Sequence, residues 1–180
     1  MKKILIVFSI FIFGITQVVS AKPNKTFEKI GDWGQIILPV SAAIIPYVKE
    51  NNYEGVKQFA KTYASTMAVT YGLKYTINSE RPNGGSHSFP SGHSSSAFSA
   101  ASFLAFRYGY KYGVPAYLGA IVVGASRINA KRHHLADVVA SATISLVCAN
   151  IFTTRYQDDI KISAAPMEGG GGQLNLEIPL

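Results

Sequence analysis

All four histidines of this 180-residue chain, His87, His93, His133 and His134, fall between positions 87 and 134. No Asp or Glu occurs from Arg81 to Ala136, while Arg81, Arg107, Lys111, Arg127, Lys131 and Arg132 do. An acid-free, histidine-bearing basic stretch suggests an anion site with nucleophilic or proton-transfer chemistry. His133 and Asp137 are four apart, so on a helix they share a face. The carboxylate could then fix one imidazole nitrogen and leave the other free to attack. Asp137 has no other evident reason to sit in an apolar segment, because a buried unpaired carboxylate is costly. His134 points elsewhere and reads as a structural or rim residue. His87 lies in a polar loop, either solvated or as a gate over the site.

Two further patterns could hold the anion. Lys74 and Arg81, separated by six residues and followed by Pro82, could grip one anion if the backbone curls. Asn83-Gly84-Gly85 permits that. Pro90-Ser91-Gly92-His93 precedes a helix start near Ser94. Gly92 lets backbone amides approach a ligand, and a helix N-terminus favours phosphate. His93 would stand beside it as a proton donor. An ordinary helix cap is the competing reading of that motif. Arg107, Lys111, Lys131 and Arg132 read as surface cations at helix ends.

These residues need helices to hold them. Val56, Phe59, Ala60, Tyr63, Ala64, Met67 and Tyr71 recur three and four apart, predicting an amphipathic helix over 53–73. Residues 78–91 read as a loop, and 94–108, 114–126 and 135–152 as helices rich in small residues. The segment 36–48 is apolar, is interrupted by Pro39 and Pro46, and is bounded by Asp32 and Lys49. Strand-like alternation is scarce, so the fold class is all-α, a helical bundle. The domain is expected over 33–157, after a polar lead-in at 22–32. A Gly-rich tail follows over 158–180. Its four glycines at 169–172 read as a spacer, and its last residues as disordered rather than as a strand pairing with a partner.

The chain carries a net charge of +7, with 48% hydrophobic and 15% charged residues. That excludes a mainly disordered chain and favours anionic partners. The single cysteine, Cys148, excludes an internal disulfide framework and reads as an inert buried thiol. Lys2 and Lys3 precede an apolar run over 4–15 and small residues up to Ala21. This predicts an export signal over 1–21, cleaved or kept as an anchor. No later helix is a charge-free run of about 20 residues. Yet the polar faces expected of a soluble bundle are missing. The balance favours an envelope protein embedded in, or lying against, a membrane.

Taken together and in order, the three patterns resemble the type 2 phosphatidic acid phosphatase and vanadium haloperoxidase superfamily. Its signature is Lys-x6-Arg-Pro, Pro-Ser-Gly-His and Ser-Arg-x5-His-x3-Asp. Lys74, Arg81 and Pro82 fill the first part, Pro90 to His93 the second, and Ser126, Arg127, His133 and Asp137 the third. The resemblance implies a bundle whose loops bring the three parts together. It implies that Lys74, Arg81 and Arg127 bind the phosphate oxygens, with the amides near Ser91 and Gly92 and the Ser91 hydroxyl. It further implies that His133 attacks phosphorus, Asp137 orients it, and His93 protonates the leaving alcohol and then activates water. No metal or other cofactor is implied. The expected substrate is a phosphorylated lipid or a small phosphomonoester, met on the periplasmic or outer side of the inner membrane. Two other readings use the same anion site: a vanadate-dependent haloperoxidase, which chain length disfavours, and a non-catalytic phosphate- or lipid-binding envelope protein. No nucleic-acid recognition motif is present.

Overall fold

The computed structural model describes residues 22–156, 161–166 and 172–177. The expected export signal lies outside them. Five helices form the bundle: α1 (Lys25–Lys49), α2 (Glu54–Thr76), α3 (Gly92–Tyr108), α4 (Tyr110–Asn129) and α5 (Leu135–Phe152). The all-helical bundle read from sequence is therefore present, and α5 has the bounds expected of it.

The expected lead-in over 22–32 is corrected, because α1 begins at Lys25. Asn24 caps it, its side chain accepting from the Thr26 and Phe27 amides at 2.9 and 3.1 Å. Pro39 and Pro46 lie inside α1 rather than breaking it. A proline leaves the carbonyl four residues earlier without its donor. For Pro39 that carbonyl is Gln35, and Ser96 of α3 donates to it at 2.7 Å. The tertiary neighbour thus supplies the bond that the proline removes. Between α3 and α4 the chain turns on Gly109 alone, at φ +77°, a conformation that favours glycine.

Helix α3 is the centre, packed by α1, α2, α4 and α5. Every residue from Ser94 to Leu104 is buried. Phe59, Phe98, Phe103, Leu104 and Val123 form the aromatic and aliphatic part of the core. The rest of the interior is unusually rich in hydroxyls. Thr62, Thr66 and Thr70 of α2, five serines of α3, and Ser141 and Ser145 of α5 are all buried. Apart from Thr66, they bond other hydroxyls or helix carbonyls, as in Thr70 Oγ1 to Ser95 Oγ at 2.8 Å and Ser141 Oγ to the Ser91 carbonyl at 2.9 Å. Small hydroxyl residues let the backbones approach closely while satisfying their own polar atoms.

Large apolar side chains lie outside instead. Trp33, Ile36, Ile37, Val40 and Ile44 of α1, Leu118 of α4, and Val139, Val147 and Ile151 of α5 are exposed. Among the described residues, one helix, α5, is long and apolar enough to cross a membrane. This arrangement explains the missing polar faces: the apolar residues are on the outer surface. Cys148 is buried, as expected.

Two expectations fail here. Arg107 is not a surface cation. It is buried, donating to Glu50 from Nε at 2.8 Å and from Nη2 at 2.7 Å. Burial alone would raise the Glu50 carboxyl. Arg107, the Tyr108 hydroxyl and the Gly55 amide outweigh it and hold the carboxyl below its usual range. In the tail, residues 161–166 and 172–177 are not disordered either, while the glycines at 169–171 lie outside the described residues. Strands β1 (Lys161–Pro166) and β2 (Gly172–Glu177) pair antiparallel, Ile162 opposite Leu176 and Ala164 opposite Leu174. The alternation at Leu174 and Leu176 finds its partner strand in the same chain.

Candidate active site

The three sequence patterns converge at one end of the bundle, where α2 ends, α3 and α5 begin, and α4 ends. His133 is buried in the turn between α4 and α5. It is not helical, since α5 starts two residues later. The expected Asp137 contact is correspondingly looser. His133 Nδ1 lies 3.6 Å from Asp137 Oδ2, a charge contact, and 2.8 Å from the Ser88 carbonyl. A carbonyl only accepts, so Nδ1 carries the proton and Nε2 keeps its lone pair. The tautomer suited to attack is set mainly by the backbone of residue 88.

Asp137 has local work as well. It accepts from the His134 amide at 2.8 Å, closing a capping box at the start of α5. It also accepts from Ser88 Oγ at 2.5 Å. Ser88 therefore ties nucleophile and carboxylate together, one through its carbonyl and the other through its hydroxyl.

Lys74 is buried in the last turn of α2, and its Nζ donates to the His87 carbonyl at 2.8 Å. Arg81 is half-buried on the loop, in a tight turn closed by its amide to the Gly85 carbonyl at 2.6 Å. Its Nε is buried without a hydrogen-bond partner among the described residues. A desolvated guanidinium donor without a partner is a donor kept for an anion. Burial, then the Arg81 charge, lowers the Lys74 ammonium to about 8 against the pull of Asp137. Burial lowers the His133 imidazole below its usual value; Asp137 opposes this, and Lys74 and Arg81 add to it. His133 is thus held neutral beside two cations.

Arg127 enters from the last turn of α4. It donates to Ser126 Oγ from Nε at 3.0 Å, to Asp32 Oδ1 from Nη1 at 2.8 Å, and to the Glu28 carbonyl from Nη2. His93 sits in the first turn of α3, with Nε2 3.2 Å from the same Asp32 oxygen. Burial, then Arg127, lowers its imidazole to about 4, Asp32 opposing. Ser91 is fully buried as the cap of α3, accepting from the Ser94 amide at 3.4 Å and from Ser94 Oγ at 3.0 Å. The helix-cap reading of that motif therefore holds for Ser91. Gly92 opens α3, and a Cβ there would meet only the Tyr71 hydroxyl, at 3.8 Å. Its small size leaves room at the helix start rather than relieving a clash.

His87 turns towards Ser86 Oγ at 2.9 Å and packs edge-on against Tyr75. His134 is exposed, as a rim residue should be. Arg132 pairs with Glu28 at the surface at 3.0 Å, and Lys111 is exposed. Among the described residues no group of three or more His, Cys, Asp or Glu could hold a metal ion.

Sequence reasoning missed Ser88, Glu28 and Asp32. Ser88 carried no signal beyond being polar in a loop. The start of α1 did carry one: Asn24 after Pro23 is a helix cap, and it would have placed Glu28 and Asp32 on the first two turns. Helix α1 is seated on the end of α4 by Gly31, where a Cβ would lie 1.8 Å from Ser126 Oγ. Asn24 N to Asn129 Oδ1 at 2.9 Å clips the same junction.

A groove of about 690 Å³ runs from this end between α1 and α2. His93 and Gly92 line its mouth, and Pro39, Val40, Phe59 and Met67 its length.

Comparison with known proteins agrees with this geometry. The family model of the PAP2 superfamily matches residues 55–161. A lipid A 4'-phosphatase of Helicobacter pylori strain J99 is 32% identical over 142 residues, covering 72% of this chain and 71% of that protein. A lipid A 1-phosphatase of Porphyromonas gingivalis is 34% identical over 82 residues, covering 43% of this chain and 18% of its own. The crystal structure of Aquifex aeolicus LpxE superposes with a TM-score of 0.65 at 22% identity, covering 78% of this chain and 92% of that one. That of a transmembrane PAP2 type phosphatidylglycerolphosphate phosphatase from Bacillus subtilis gives 0.60 at 22% identity, covering 77% and 81%.

Proposed function

The chain belongs to the PAP2 superfamily and is a phosphomonoester hydrolase of that type, and from this premise we propose that it dephosphorylates a lipid of the lipid A class through a phosphohistidine. One observation carries the chemistry. A buried His133, with Nδ1 bonded to a carbonyl and Nε2 unbonded among the described residues, stands beside the cations Lys74 and Arg81. The groove beside His93 favours a lipid over a small soluble ester, because an apolar channel opening at the leaving-group side suits an acyl chain. The Helicobacter and Porphyromonas relatives, both lipid A phosphatases, point the same way.

In this reading Lys74, Arg81 and Arg127 hold the three non-bridging oxygens and stabilise their charge in the transition state. Amides at the start of α3, near Gly92, add to that cradle, with Ser91 setting their position as the helix cap. Nε2 of His133 attacks phosphorus while the bond to the leaving oxygen breaks. Asp137 and Ser88 hold the ring. His93 gives the leaving oxygen a proton, then takes one from the water that attacks the phosphohistidine. Released phosphate carries off the added oxygen, and Nε2 regains its lone pair. A bound phosphate offsets the Arg127 charge at His93 and so favours the protonated acid. No step uses a metal or other cofactor.

The exposed apolar faces of α1, α4 and α5 support a bundle lying in or against a membrane. The site end would then meet a lipid headgroup on the periplasmic or outer side after export. The deciding test is phosphate release by purified protein from lipid A phosphates, phosphatidic acid and soluble phosphomonoesters. Release from the lipids, with labelled phosphate trapped on His133 in a His93→Ala variant, is the expected result. Binding without release would overturn it in favour of a non-catalytic lipid-binding protein.

A further inference from the structure

We propose that Asp32 is the positioning residue of His93, forming with it a second carboxylate–histidine pair that works the leaving-group side of the site. The inference rests on the phosphatase reading above. Asp32 lies on α1, before the segment 55–161 that the family model matches, so no signature position assigns it a role.

Asp32 Oδ1 accepts from two donors at once, Arg127 Nη1 at 2.8 Å and His93 Nε2 at 3.2 Å. A carboxylate only accepts, so Nε2 holds the hydrogen of this contact. Nδ1 is taken by no protein group among the described residues and is the nitrogen left for proton transfer. The two histidines are therefore held through opposite nitrogens. His133 is fixed at Nδ1 and reacts at Nε2, whereas His93 is fixed at Nε2 and reacts at Nδ1. Each task fits its geometry, since a nucleophile needs one fixed lone pair and an acid–base needs a fixed ring edge.

Electrostatics favour the same role. Charged and titratable groups facing His93 are Asp32 on α1, Arg127 on α4, His133 in the following turn and Tyr71 of α2 along the shared groove. Of these, Asp32 is the one carboxyl group, and the one that favours a protonated ring. When the bond from phosphorus to the leaving oxygen breaks, its electron pair takes the proton from Nδ1 of the imidazolium. The Nε2 proton stays on the ring, donated in a hydrogen bond to Asp32. Water then returns a proton to Nδ1 as its oxygen attacks phosphorus. Asp32 is half-exposed, so it can keep His93 while yielding Arg127 to a phosphate oxygen.

The experiment compares wild type, Asp32→Asn and Asp32→Glu on two substrates in the same detergent. One is an alkyl phosphate, whose leaving oxygen needs a proton. The other is 4-nitrophenyl phosphate, whose leaving oxygen does not. For Asp32→Asn the alkyl kcat should fall about 10- to 100-fold and the nitrophenyl kcat less than about threefold, with KM not raised. Its alkaline limb on the alkyl substrate should move to lower pH. Asp32→Glu should recover part of the alkyl rate. Equal losses on both substrates, or a raised KM with kcat intact, would overturn the proposal in favour of a scaffold role. Nitrogen-15 spectra of the histidine rings decide independently of turnover, His93 being assigned by its loss in His93→Gln. They should show the Nε2–H tautomer at His93 in wild type and a lower titration midpoint in Asp32→Asn. An unmoved midpoint would overturn the pairing. A wild type that releases no phosphate from either substrate would instead sink the phosphatase reading.

Discussion

Arg127 and Arg107 are near-equivalent in position and opposite in use. Each lies in the last turn of its helix, each is buried, and each meets an acid of the α1 segment, Asp32 near its start or Glu50 at its C-cap. Arg107 meets Glu50, whose side chain is 0% exposed and engages it with both oxygens. Gln58 and the Thr154 carbonyl take Nη1 at 3.2 and 2.9 Å, so that end is closed. Arg127 meets Asp32, whose side chain is 47% exposed and offers one oxygen, shared with His93. The two acids are about 18 positions apart, from α1 to its C-cap, some 27 Å along the helix axis. The same ion-pair chemistry is thus structural where it is bidentate and dry, and exchangeable where it is shared and wet. An anion can enter the second and has no way into the first.

That contrast can be tested from its strongest consequence downwards. His133→Ala should abolish phosphate release, by about 10⁴-fold or more, with an unchanged helical spectrum and melting temperature. Full turnover in this variant would remove the nucleophile from the site. At the closed end, Arg107→Ala strands the buried Glu50 carboxylate and should cost about 3–5 kcal/mol, lowering the melting temperature by about 10 °C. Turnover per folded molecule should stay near wild type. A large activity loss without destabilisation would erase the distinction between the two ends.

Arg127→Lys at the open end should cost about 10²-fold in kcat/KM, because an ammonium cannot span Ser126, the Glu28 carbonyl and a phosphate oxygen together. Its melting temperature should fall by less than that of Arg107→Ala. The acid limb of kcat/KM should lie below pH 6.5. His133 attacks when neutral, and its lowered pKa keeps it neutral into mild acid. Activity is lost only as pH falls through that lowered value. Lys74→Met removes one cation that lowers it, so the limb should move to higher pH. A limb unmoved by that change would separate Lys74 from His133. The smallest effect belongs between the ends. Thr66 Oγ1 is buried in α2 with no partner among the described residues, so Thr66→Val should leave stability unchanged or raise it by up to about 1 kcal/mol.

The helices were legible in sequence wherever one pattern ran uninterrupted, as in α2 and α5. The start of α1 was not, because Lys25, Lys29 and Asp32 make it polar. What holds it helical is the Asn24 cap and a neighbouring helix end. Arg107 was misread for a related reason. Its partner Glu50 lies 57 positions away, and a burial decided by a distant acid leaves no local trace. In the site, Lys74, Arg81, His93, Arg127, His133 and Asp137 were found by spacing and do gather at one end. Ser88 and Asp32 were not, because their roles depend on where a loop carbonyl and a helix face happen to point.

The residue order alone determined the chemistry available: His93, His133, Arg81 and Arg127 in an acid-free stretch with Lys74 just before it, on helices whose periodicity and small residues require a tight bundle. Tertiary structure decided which nitrogen of each histidine is free, which arginine is closed by its acid and which stays open, and that the large apolar side chains face outwards. Those outcomes depend on the direction of lone pairs and on desolvation. Both arise only when distant segments pack and exclude water, so neither is written in spacing along the chain.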